Sequence, residues 1–135
     1  MNLAERVEAL RAAPLFSKLP LPSVEQVAGR AALVELPEGS VLIEPGMKGS
    51  GMFVIVEGTV VVERRHSRFE YGPGEVVGEL ALLTDDEART ARVRAKTPVS
   101  CIAIARADFR DLLVTEPGLA LAMLEIVADR LAERD

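Results

Sequence analysis

Leu3, Val7 and Leu10 recur at helical spacing with charged residues between them, and Pro14 follows where a helix should stop, so residues 2–13 are predicted to form a short amphipathic helix. Pro22 and Ser23 open a second helix, with Ser23 as its N-cap and Gln26 three residues on completing a capping box. From about Leu33 the period shortens to β-rich runs broken by glycine. Strands are expected over Leu33–Leu36, Val41–Glu44, Met52–Val56, Thr59–Arg64, Arg68–Tyr71, Glu75–Val77, Thr90–Ala95 and Val99–Ile104. Eight of the ten glycines fall between residues 39 and 78, which concentrates turn chemistry there. The tail reverts to helix: Asp108–Val114, then a longer helix after Pro117 carrying Leu119, Met123, Ile126, Val127 and Leu131 on one stripe.

Helix pair, eight strands, helix pair is the order expected of a mainly β fold with flanking helices. The predicted architecture is an eight-stranded β-roll, a double-stranded β-helix or jelly roll. The chain has 135 residues, 49% of them hydrophobic, enough for one continuous core. One domain is expected over 1–135: N-terminal helices over 1–32, the roll over 33–105, and C-terminal helices over 106–135. No internal repeat or low-complexity segment interrupts it.

Composition narrows the function classes. Aromatic residues make up 4% of the chain and Trp is absent, so there is no platform on which nucleobases of a single strand could stack. A net charge of −5 repels a polyanion at long range, which argues against nucleic acid as a partner of this chain alone. Arg64, Arg65 and Arg68 are interspersed with Glu63 and Glu70 and read as a solvated face. With one histidine, His66, and one cysteine, Cys101, no metal-ligand set is expected, and a Cys–His pair would lack a third group. Cys101 lies in an apolar run and reads as a buried structural thiol. No catalytic residues and no enzyme activity are expected. Met1 to Ala13 is charged throughout, unlike a signal peptide, and no apolar run approaches the roughly 18 residues of a membrane span, so a cytoplasmic protein without membrane contact is expected.

The stretch with chemical content is Gly78 to Val93, GELALLTDDEARTARV. Glu79 to Leu83 contains good helix formers in a run too short for an ordinary helix. A single turn beginning near Gly78 would aim several backbone N–H groups at one spot, an anion site by geometry and dipole. Gly78 also removes a side chain where a ligand must approach the backbone. Beyond it, Ala91, Val93 and Ala95 alternate with Arg92, Arg94 and Lys96, so the apolar set should face the roll interior. If the strand has begun by residue 89, Arg89 shares that inward face and needs an anionic partner. Either a protein carboxylate, Glu79 or Asp85, or a bound anion would supply it. Glu79 taken alone reads more readily as a first-turn carboxylate favoured by the helix dipole.

The run Gly78-Glu79-Leu80-Ala81-Leu82, a short acidic loop, then Arg89-Thr90-Ala91 and Val93, resembles the phosphate-binding cassette of the cyclic nucleotide-binding domain family, with the spacing of its bacterial catabolite activator branch. Pro14-Leu15-Phe16-Ser17, Gly39 to Gly46, Met52 to Gly58 and Gly72-Pro73-Gly74 resemble further family landmarks in family order, so the similarity covers nearly the whole chain. The resemblance implies a cassette over 78–91 and a cyclic AMP or cyclic GMP ligand, with no other cofactor. It implies that Glu79 accepts from the ribose 2′-hydroxyl and that Arg89 pairs with the exocyclic phosphate oxygens. The amides around Leu80 and Ala81 and the Thr90 hydroxyl would complete the cradle. A planar fork suits two phosphate oxygens, and a carboxylate suits a hydroxyl.

The loop Thr84 to Ala88 ends in Ala where some family members place Pro. The long helix that closes over the base in the activator branch, and any DNA-binding helix-turn-helix, are expected to be absent because the chain stops at Asp135. The function expected is a regulatory sensor module in signal transduction. The competing reading is a degenerate fold that binds no ligand and serves protein interaction or dimerisation. Effector contact or a homodimer would run through the C-terminal helices, with the last helix as output element.

Overall fold

A computed structural model describes residues 1–46, 51–79 and 91–133. The elements run α1 (Leu3–Ala12), α2 (Leu21–Arg30), β1 (Ala32–Leu36), β2 (Val41–Ile43), β3 (Gly51–Glu57), β4 (Val60–Glu63), β5 (Arg68–Tyr71), β6 (Val76–Val77), β7 (Arg92–Ala95) and β8 (Val99–Ala105), then α3 (Arg106–Thr115) and α4 (Pro117–Glu133). The expected eight strands and flanking helix pairs are all present, with shifts of a residue or two at most ends.

The strands form two four-stranded antiparallel sheets, ordered β1-β8-β3-β6 and β2-β7-β4-β5. They close into a roll because each strand's two faces have different work to do. In the first sheet both faces are covered: Met52 and Val54 of β3 and Ile102 and Ile104 of β8 pack against the helices, while Ile55, Val99 and Cys101 point into the roll. Two covered faces explain why β3 and β8 are nearly continuous apolar runs. In the second sheet only the inward face joins the apolar core. Val93 and Ala95 of β7 are buried with Val60, Val62 and Ile43, whereas Arg92, Arg94 and Lys96 emerge on the outside, as the alternation predicts.

The helix layer is pinned at its ends. Asn2, not Ser23, carries the capping box: its Oδ1 accepts from the Glu5 amide at 2.8 Å, and Glu5 Oε1 accepts from the Asn2 amide at 3.1 Å. The expected Ser23–Gln26 box does not form, because α2 begins at Leu21 with Pro20 as its N-cap and no side-chain cap. Ser23 sits inside the first turn, where its hydroxyl donates to Glu116 at the corner between α3 and α4. Arg30 pairs with Asp108 at 3.3 Å and ties α2 to α3.

The last helix runs where it was expected, with one change in the residues it buries. Leu119 and Met123 are fully covered and Ile126 and Val127 pack at the edge of the same core, but Leu131 is 62% exposed and does not belong to the stripe. Arg130 takes the inward position in its place. At 3.6 residues per turn, position 130 lies within about 20° of positions 119 and 123, whereas position 131 lies about 120° from 119.

A candidate ligand site at the end of the roll

Three pieces of backbone converge below the last turn of α4. β5 ends at Tyr71, the turn Gly72-Pro73-Gly74 reverses the chain, and β6 returns through Val76 and Val77. That reversal is held by the Gly72 amide donating to Glu75 Oε1 at 2.9 Å and by the Gly74 amide donating to the Ile55 carbonyl at 2.8 Å. Gly78 follows with φ +83°, a left-handed conformation that a side chain would strain. The glycine turns the chain out of β6, and the next residue, Glu79, is buried with 4% of its surface exposed. The residue type was expected from a need for close approach; the structure adds the backbone conformation as its cause.

A carboxylate so buried requires a partner. Arg130 supplies it: Nη1 lies 2.6 Å from Glu79 Oε1, and both side chains are almost wholly enclosed. The same guanidinium donates through Nη2 to the Val76 carbonyl and lies over Tyr71, with Cζ 4.2 Å from the ring centroid. Carboxylate, carbonyl and aromatic face together use the planar, multiply donating shape of arginine, which lysine could not reproduce. The result is a tether from the last turn of α4 to the first residues of the cassette.

The observed partner of Glu79 is Arg130, a residue the sequence reading passed over, while the pairing with Arg89 that the sequence left open lies outside the described residues. The helix expected after Pro117 is present as α4, and its last turn reaches the site. The signal for Arg130 was in the sequence as a basic residue on the extension of the Leu119–Met123 stripe, where an inward charge demands a buried acid.

Of the expected site residues, Gly78 and Glu79 are side by side at the mouth of this arrangement. Leu80, Ala81, Arg89 and Thr90 lie outside the described residues, as do Asp85 and the loop Thr84 to Ala88. β7 begins at Arg92, and Ala91 before it is not in strand, so the described strand starts two residues after the expected Thr90. Ala91 is nonetheless buried in the roll interior.

Elsewhere the titratable groups behave as structure. Cys101 is fully covered, and burial pushes its thiol up to about 11. His66 is exposed in the turn between β4 and β5. Among the described residues no group of three His, Cys, Asp or Glu could hold a metal ion, and no helix is long and apolar enough to cross a membrane.

The roll with a left-handed glycine, a buried glutamate and a returning helix defines a class of ligand-sensing domains, and comparison with known proteins places the chain within it. The family model described as "Cyclic nucleotide-binding domain" matches residues 33–116. The chain belongs to the cyclic nucleotide-binding domain family, a family of regulatory sensor modules.

A cyclic nucleotide-gated potassium channel from Mesorhizobium japonicum is 40% identical over 114 residues, which is 84% of this chain and 31% of the channel. The cAMP-activated global transcriptional regulator of Salmonella typhimurium is 30% identical over 116 residues, 82% of this chain and 55% of the regulator. The crystal structure of the Thermus thermophilus catabolite activator protein superimposes with a TM-score of 0.78 at 28% identity, over 91% of this chain and 60% of that one. The resemblance to the catabolite activator branch is thereby confirmed. The chain spans between a third and about half of the length of the curated relatives it matches.

Proposed function

We propose that the chain binds a 3′,5′-cyclic nucleotide monophosphate, cyclic AMP in preference to cyclic GMP, and passes the binding event to α4. The observation that carries this reading is the buried Glu79, presented by a left-handed Gly78 and tethered to α4 by Arg130. Glu79 stands at the head of the cassette sequence in a chain of this family.

A carboxylate has two oxygens and several lone pairs, so an acid that holds Arg130 through Oε1 can also accept from a ribose 2′-hydroxyl. Arg89 takes the cyclic phosphate, with the amides around Leu80 and Ala81 and the Thr90 hydroxyl completing its cradle. Ligand contact at Glu79 then alters the anchor of α4 directly, so the two positions of that helix differ in affinity for the ligand. The module binds and signals without turnover and needs no metal or further cofactor. Its output passes through α4 to an effector protein or to a second copy of the chain.

Titration calorimetry of the chain with cyclic AMP and cyclic GMP tests the reading. Saturable binding is expected, tighter for cyclic AMP. Arg89→Ala should cost about 2–4 kcal/mol, roughly 30- to 1000-fold in affinity, because a charge-assisted bidentate contact is lost. Glu79→Gln should cost less and should narrow the preference for ribose over 2′-deoxyribose. Absence of heat with either nucleotide at millimolar concentration would overturn the proposal in favour of a ligand-free interaction module.

A further inference from the structure

Tyr71 ends β5 with its ring beneath the Arg130 guanidinium and 5% of its surface exposed. Its hydroxyl is buried and has no hydrogen-bond partner among the described residues. Buried hydroxyls are nearly always paired, and one left alone carries a desolvation cost that a phenylalanine at the same place would avoid. The ring's packing into the roll interior and the stack with Arg130 need only the aromatic face. Nothing among the described residues accounts for the oxygen.

Its position does. Tyr71 and Glu79 are both held by the same guanidinium, one under its face and one at its edge, so the phenol lies within a nucleoside's length of the carboxylate assigned to the ribose. With Glu79 on the ribose and Arg89 on the phosphate, the nucleobase is the part of the ligand without a polar partner. We infer that the Tyr71 hydroxyl hydrogen-bonds the purine base of the bound cyclic nucleotide, an inference that rests on the binding function proposed above. A phenol both donates and accepts, so it can meet the mixed donors and acceptors along a purine edge. The solitary hydroxyl in the free chain is then a binding group held ready, at a cost to stability that the ligand offsets.

Tyr71→Phe tests this because it keeps the ring, the packing and the stack. Unfolding by urea should show the variant as stable as the parent or more so, while calorimetry should show cyclic AMP binding about 3- to 10-fold more weakly, the worth of one neutral hydrogen bond. Repeating both titrations with 2′-deoxy cyclic AMP locates the contact. A penalty that persists with the deoxy ligand is the expected result. A penalty that vanishes places the hydroxyl on the ribose and overturns the assignment to the base. Equal affinity of parent and variant for cyclic AMP also overturns it while leaving the binding function intact. Failure of the parent chain to bind any cyclic nucleotide refutes both.

Discussion

Two sets of ion pairs occupy opposite sides of the same roll. On the outside, Arg92 and Arg94 of β7 and Lys96 just past its end stand at alternate positions, paired with Glu44, Glu63 and Glu70 at 3.0 to 3.1 Å. At the end of the roll, Arg130 meets Glu79 at 2.6 Å. The chemistry is the same and the surroundings are not. The outer side chains keep between a third and half of their surface in water, while Arg130 and Glu79 keep 7% and 6%. Exposed pairs gain little over hydration, whereas a buried pair has given up its hydration and depends on each partner's presence. The outer ladder therefore decorates a sheet, with its aliphatic stems covering Val61, which sits in register between Arg94 and Glu70 and is fully buried. The inner pair fixes where a helix ends and where the Glu79 carboxylate points.

The largest effect should come from breaking the inner pair. Arg130→Met strands Glu79 as an uncompensated buried charge and should lower unfolding free energy by about 3–5 kcal/mol, measured by urea denaturation at neutral pH. Adding Glu79→Gln to that variant removes the stranded charge and should recover at least half of the loss. If the double variant is no better than the single one, packing of α4 and not charge is what Arg130 provides.

The same contrast explains what could be read from sequence. The strands, the inward set Val93 and Ala95, the outward arginines and the burial of Cys101 follow from short-range periodicity, and each lies where the pattern puts it. What local pattern could not supply is a pairing 51 residues apart in the chain, Glu79 with Arg130, which exists only once α4 has folded back over β6. Leu131 looked like a stripe residue because it is apolar, and Arg130 was passed over because it is charged, although the helical angle favours 130. The N-caps failed for a related reason: Ser23 was given to its own helix, while the structure uses its hydroxyl to hold Glu116 from α3's end. Gly78 and Glu79 were legible through family likeness and are placed by the structure, whereas Leu80, Ala81, Arg89 and Thr90 fall outside the described residues.

A second way to sharpen the contrast uses the interior thiol. Cys101 faces the roll interior, where burial holds its proton up to about 11 against an ordinary value of 9.0. Its folded value is raised, so its contribution to stability is whole below about pH 9 and is lost as pH rises toward about 11. Within that window the slope from this group alone approaches about 1.4 kcal/mol per pH unit. Cys101→Ala should therefore show a shallower alkaline decline than the parent when denaturation is followed from pH 8 to pH 10.5. Parallel declines would mean that the thiol reaches water in the folded chain.

The outer ladder should yield little when broken singly. Lys96→Ala removes the contact to Glu70 and should change unfolding free energy by no more than about 0.5 kcal/mol, with the difference shrinking in 0.5 M salt. A loss comparable to that of Arg130→Met would show that the ladder is a structural network of its own.

The smallest effect is expected at Glu63, and its sign can be worked out. The hydrogen bond from Arg94 lowers its carboxyl below the usual value of 4.5, against an opposing push from burial, and the charges of Arg94, Arg68 and Arg92 act in the same direction as the bond. A folded value below the unfolded one means the stabilising contribution is present above the unfolded pKa and lost as pH falls through the folded one. Parent and Glu63→Gln should thus differ slightly at pH 7, with the parent ahead, and converge in urea titrations as pH falls through the folded value of Glu63. Because Glu63 is paired at the surface, the pH 7 gap should also close in high salt, which an interior pair would resist. Were the gap to survive both acid and salt, Glu63 would behave like Glu79, and the division between an ornamental outer face and a working interior would fail at its weakest point.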